Sequence, residues 1–158
     1  MIDVCIELTN EILDIYRHAQ LMMKAHGNFN QWGDVYPSRE ILLDDITKSQ
    51  LYLLYDNDKM AGVFCLKDND PFYEQAEWLN NEPYMTIDRL AYKQAKRKYV
   101  DELLDFCKGK TRNIRVDTGR ENVVVQKMLV AKGFVNIGTI LRDHDYAEPM
   151  LAYHWEAN

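Results

Sequence analysis

Ile114 to Phe134 reads IRVDTGRENVVVQKMLVAKGF, and three kinds of pattern follow one another within it. Ile114, Val116 and the flanking β-formers make a short strand, DTGREN supplies turn-forming and hydrogen-bonding residues, and Val125, Met128 and Leu129 recur at helical spacing. Gly133 is placed to close that helix in the left-handed conformation. A strand feeding a helix through a polar turn has two uses: an ordinary cap and turn, or a place where a ligand meets the start of a helix. The neighbouring elements decide between them.

Working back toward the N-terminus, Tyr99, Val100, Leu103, Leu104 and Cys107 mark a helix from about residue 94 to 107, and YMTIDRLAY, Tyr84 to Tyr92, is a strand before it. Strand, helix, strand implies a parallel crossover. QLYLLY and MAGVFCL flank the turn-forming DNDK and predict an antiparallel hairpin. Thr9 and Ser38 are placed to cap two earlier helices, the first stopping near Gly27 and the second near Lys48. FVNIGTILR and MLAYHWE are the last two strands, joined by DHDYAEP. The whole is mixed α/β with a largely antiparallel sheet, expected as one domain over residues 1–158 because no linker, repeat or low-complexity tract interrupts it.

With 47% hydrophobic and 28% charged residues, the chain can bury a core without metals or disulfides. Cys5, Cys65 and Cys107 are scattered among apolar neighbours, which fits a reducing compartment. No apolar run is long enough to span a bilayer and the N-terminus carries Asp3 and Glu7, so cytoplasm is expected, with no membrane partner. The net charge of −6 is uneven: residues 89–120 hold ten basic and four acidic side chains, and residues 1–88 hold sixteen acidic and six basic. The basic block could meet an anion, while the acidic remainder would repel a long polyanion, so nucleic acid is not expected. His18, His26, His144 and His154 lack metal-ligand spacing, and no metal is expected.

The element order, with DTGREN, VQKML, KGF, QWGDVYPSREILLDDI and EWLNNEPYMTIDRLAY, resembles the GNAT family of acetyl-CoA-dependent N-acetyltransferases. The resemblance runs from about Trp32 to Tyr153. It implies the GNAT acyltransferase fold, in which the two strands YMTIDRLAY and NIRVDT splay apart and acetyl-CoA lies in the opening. It also implies transfer of an acetyl group to a primary amine of a small molecule or peptide, and a homodimer is common in the family. Asn122 matches the asparagine that contacts the pantetheine arm; the same residue type is also a good helix cap. Backbone N–H groups of Leu90, Ala91 and Tyr92 match the donors that polarise the acetyl carbonyl. Asp88, or Glu77 beside Trp78, stands where a base would act on the amine, and Trp32, Tyr36, Tyr73, Trp78 and Tyr84 match the acceptor wall, each also a reasonable packing aromatic.

Two departures matter. The family's Q/R-x-x-G-x-G/A loop, whose backbone N–H groups cradle a pyrophosphate, is replaced by KQAKRKYVDELL, with Lys98 and Val100 at the glycine positions. Either Lys93, Lys96, Arg97 and Lys98, in a stretch whose cofactor-binding candidates also include Tyr99 and Val100, hold the pyrophosphate by charge, or the site is impaired and the fold binds another metabolite or a protein partner. The tyrosine that protonates the departing thiolate in many relatives corresponds to Leu129, which leaves Tyr153, or Tyr146 in the preceding loop, to stand in.

Overall fold

The computed structural model describes residues 1–27, 32, 35–142 and 149–158; Tyr146 and His144 lie outside the described residues. The elements run β1 (Ile2–Val4), α1 (Asn10–Ala25), α2 (Arg39–Thr47), β2 (Leu51–Asp56), β3 (Lys59–Asp68), a 3₁₀ turn (Pro71–Gln75), β4 (Met85–Tyr92), α3 (Arg97–Lys108), β5 (Asn113–Thr118), α4 (Val123–Ala131), β6 (Val135–Ile140) and β7 (Met150–Glu156). β1 and the 3₁₀ turn add to the sequence reading. The helix expected from about residue 94 starts at Arg97, because Lys96 is still extended (φ −137°, ψ 145°).

Local chemistry explains the boundaries. The Thr9 hydroxyl accepts from the Ile12 N–H and the Ser38 hydroxyl from the Ile41 N–H, so both caps form as their sequence positions imply. Asn57 and Asp58 take φ 51° and 68°, the two left-handed residues that a tight hairpin between β2 and β3 requires. Gly133, at φ 91°, closes α4.

The strands form one sheet in the order β1-β2-β3-β4-β5-β7-β6. Neighbours are antiparallel except β4 and β5, which the α3 crossover makes parallel. One face is covered by α1 and α2, with Ile12, Ile15, Tyr16 and Leu42 packed on Leu51, Val63 and Ala91. The opposite face is covered by α3 and α4, where Leu103, Leu104, Cys107 and Leu129 pack on Phe64, Ile114, Val116 and Tyr153. Among the described residues no helix is long and apolar enough to cross a membrane.

Candidate functional site

The parallel pair is joined only at Met85↔Ile114 and Thr86↔Arg115. Beyond these residues β4 stays with β3 as far as Gly62↔Tyr92, and β5 stays with β7 as far as Thr118↔Leu151. The sheet therefore divides into two halves that part after Thr86, as expected of YMTIDRLAY and NIRVDT. On the α3 and α4 face, the hydroxyls of Tyr92 and Thr118, at the ends of the two flanking strands, are buried without a hydrogen-bond partner. The Tyr92 ring lies against Gly62 of β3 and Tyr99 of α3, whereas Thr118 ends β5 at the edge that β4 has left; a buried hydroxyl left unpaired there is costly, and a polar ligand would satisfy it. Asn122 sits at the cap position of α4, but its side chain makes no cap hydrogen bond. Its amide is thus not committed to the helix.

β4 carries a bulge beside this gap. Val63↔Ala91 and Cys65↔Asp88 are both in register, so Arg89 and Leu90 together oppose Phe64. Arg89 has φ 49°, unusual for a side chain with a Cβ. The slip turns the side chains of Asp88 and Arg89 toward the same face, that of α1 and α2. Arg89 donates there to Asp45 through Nε and Nη2, each at 2.7 Å, and through Nη1 to the Tyr36 hydroxyl at 3.0 Å. Asp88 lies 3.2 Å from the Lys67 ammonium and 3.7 Å from Arg89.

The charged network continues across the gap. Arg142 donates through Nε to Asp117 at 2.9 Å and through Nη2 to Asp70 at 2.9 Å, while Tyr73 donates to Asp117 at 2.6 Å and touches Thr86 at 3.2 Å. Burial pushes the Asp88 carboxyl up, but Lys67, Arg89 and Arg142 outweigh it and hold it below the ordinary aspartate range. It stays ionised at neutral pH. Burial drives Cys65 and Cys107 up to about 12, so neither is a thiolate nucleophile. No metal-holding group of His, Cys, Asp and Glu is found among the described residues.

The expected acceptor wall divides in two. Trp32 packs against Tyr16 and Tyr36 in the α1 core, and Tyr36 reaches the network through Arg89. Tyr73, Trp78 and Tyr84 form a second cluster in which Trp78 donates to the Tyr73 carbonyl and the Arg115 guanidinium lies 4.8 Å from Trp78 and 4.1 Å from Tyr84. Glu77 is exposed. Tyr153 is buried on the α3 and α4 face, opposite Val116.

At the expected pyrophosphate end, Lys98 turns to Asp56 at 3.0 Å, Tyr99 donates to Asp56 at 2.6 Å, and Lys93 pairs with Glu11. Arg97 is exposed and Val100 half-buried. A groove of about 260 Å³ opens beside this link, with Asp56, Lys59, Lys93, Lys96 and Tyr99 in its lining. Tyr16, Asp45, Lys67, Asp70, Thr118 and Arg142 escaped the sequence reading. One signal was present: Asp45 lies three residues after Leu42 on the buried side of α2, where an unpaired carboxylate would not be tolerated.

No family model matches the chain, and no curated protein matches it. Solved structures do. A GNAT-family acetyltransferase from Streptococcus agalactiae 2603 superposes with a TM-score of 0.82 at 23% identity, over 99% of this chain and 96% of that one. The fold is the GNAT acetyltransferase fold. A Bacillus subtilis acetyltransferase in complex with CoA shares it at a TM-score of 0.65 and 16% identity, covering 99% of this chain and 98% of its own. A chain of the NatC complex bound to Gag peptide and CoA shares it at 0.60 and 14%, covering 100% and 98%. Within this GNAT fold, the parted β4 and β5, the bulge at Arg89 and the start of α4 meet at one place.

Proposed function

We propose that this protein is a single-domain member of the GNAT family that transfers the acetyl group of acetyl-CoA to a primary amine of a small molecule or peptide. The observation that supports this reading is the gap after Thr86↔Arg115, with the unpartnered hydroxyl of Thr118 at the end of β5. A pantetheine arm has amides that offer both donors and acceptors, which fits that hydroxyl and the uncommitted amide of Asn122. Lys96 and Arg97, at the start of α3, would meet the pyrophosphate. Acetyl-CoA supplies an acyl thioester; the acceptor ammonium gives up one proton to become the amine, the nitrogen then forms the new C–N bond as the C–S bond breaks, and its second proton ends on the CoA sulfur, so that amide and free thiol result.

The residues divide this work by face. Asp88, on the α1 and α2 face, is ionised and can receive an ammonium group by a charge-assisted hydrogen bond. Its lowered pKa makes it an anchor for the acceptor more than a strong base, with water or Glu77 as the route out for the proton. Tyr36 and Tyr73 flank that approach. Tyr153, on the α3 and α4 face with Thr118, is assigned to protonating the departing thiolate, since Leu129 is core. Amine and thioester would approach from opposite faces and meet through the gap, which suits direct attack in a ternary complex.

The test is thiol release from acetyl-CoA with a panel of polyamines, amino acids, aminoglycosides and peptides. Acceptor-dependent release abolished by Asp88→Ala is the expected result. A second reading is favoured by the glycine-free link and by Lys98 being held on Asp56: a non-catalytic GNAT-fold protein that binds another metabolite or a partner. Failure to bind either acetyl-CoA or CoA would select that reading.

A further inference from the structure

The Arg89 bulge is held from three directions, and the hold bears on the backbone of the gap. The Tyr16 hydroxyl, on α1, donates to the Arg89 carbonyl at 2.7 Å. Asp45, on α2, takes two hydrogen bonds from the Arg89 guanidinium, and Tyr36 takes a third. All of these residues are well buried or partly buried. A non-glycine residue in the left-handed region persists where its surroundings over-determine it, and such positions cluster at functional sites.

What the hold does follows from peptide geometry. The Arg89–Leu90 peptide is trans, since the one cis peptide found is Tyr36–Pro37, so its N–H points opposite to its carbonyl. With the carbonyl fixed toward α1, the Leu90 N–H points away from α1, toward the side of α3 and α4. Strand alternation adds the direction within the sheet. The Lys93 N–H donates to the Ala61 carbonyl, so Ala91, two residues earlier, also faces β3, and Leu90 and Tyr92 present their N–H groups to the opposite edge. β5 does not pair with that edge beyond Thr86. Of the three amides the resemblance nominates, geometry thus turns Leu90 and Tyr92 toward the gap and Ala91 away from it.

We infer that Tyr16, Asp45 and the Arg89 side chain form a positioning clamp that fixes the Arg89–Leu90 peptide so that the Leu90 N–H polarises an acyl carbonyl in the gap. This rests on the acetyltransferase reading above and deepens it. The clamp makes no contact with either substrate; it acts through one backbone plane. A hydrogen-bond donor fixed before the reaction needs no reorganisation as charge develops on the oxygen, and that is the advantage a rigid bulge has over a free loop.

The test is carbonyl ¹³C NMR of acetyl-CoA labelled at the carbonyl carbon, bound to the wild type, to Tyr16→Phe and to Asp45→Asn, with CoA affinity measured in parallel by calorimetry. The wild type is expected to shift the bound carbonyl resonance downfield of the free ligand. Tyr16→Phe, which keeps the ring and removes only the donor to Arg89, should return the resonance toward the free position while CoA affinity stays at the wild-type value; Asp45→Asn should do the same if it folds. An unaltered downfield shift in Tyr16→Phe overturns the clamp, and so does a wild type that binds acetyl-CoA with no shift. A wild type that binds neither ligand overturns the acetyltransferase reading, and the clamp with it. A purely structural role for Tyr16 predicts a lower Tm with the resonance unmoved, which also counts against the inference.

Discussion

Asn122 shows how one residue can be separated from its local role. Its type and position suit a helix cap, yet the side chain makes no cap hydrogen bond, so Asn122→Ala should leave the unfolding temperature within a degree or so. In the acetyltransferase reading it should weaken acetyl-CoA binding by about 1 kcal/mol, the scale of one net hydrogen bond; calorimetry with thermal unfolding on the same samples checks both. His154 gives a prediction in another variable. It is fully buried, with Nδ1 accepting from the Leu79 N–H and Nε2 facing the Asn113 side-chain oxygen at 2.9 Å. Burial, then the nearby Arg115 charge, lowers its pKa from 6.5 to about 4. The unfolded chain therefore binds a proton that the folded chain refuses. The stabilisation is complete above pH 6.5 and is lost as pH falls toward about 4, a loss on the order of 3 kcal/mol for a shift of this size. Denaturant unfolding across that window should show the slope, and His154→Gln should flatten it; an equal slope in the variant would refute the assignment.

At the scale of elements, the link from β4 to α3 carries the sharpest contrast. Lys98 and Tyr99 both engage Asp56 on the β2–β3 hairpin, whereas Lys96 and Arg97 remain exposed at the helix start. Replacing Lys96 and Arg97 with Ala should weaken CoA binding and flatten its salt dependence, because exposed charges are screened over about 8 Å at physiological ionic strength. Lys98→Ala should leave CoA affinity close to wild type. Titrations at low and high salt distinguish the two, and a large loss in Lys98→Ala alone would show that Lys98 leaves Asp56 to meet the ligand. The elements themselves were largely legible in sequence, since periodicity and caps are local: Thr9, Ser38, the DNDK turn and Gly133 behave as their neighbours dictate. α3 starts at Arg97 rather than at residue 94, a boundary that KQAK carries no breaker to mark, and the three residues of β1 carry too little pattern to be legible. The site was less legible. Arg89 meets Asp45 across 44 residues and Arg142 meets Asp70 across 72, and no local pattern encodes such pairings. The bulge that turns Asp88 and Arg89 to one face breaks the alternation that strand reading relies on.

For the molecule as a whole, the sheet is two half-sheets joined by two residue pairs, with β1 to β4 on one side and β5, β7 and β6 on the other. The charged network on the α1 and α2 face spans the junction through Asp88, Arg142 and Asp117, and the unpaired hydroxyls stand on the opposite face. In the acetyltransferase reading, this division would give acceptor and donor separate approaches to one gap. The central claim is that the gap takes the acyl-CoA donor, and the most direct measurement is an amide-resolved NMR titration of the wild-type protein with acetyl-CoA. Saturable binding of one ligand per chain is expected, with the largest shifts at Leu90, Tyr92, Thr118 and Asn122; no binding, or shifts that leave those four amides unmoved, would contradict the claim.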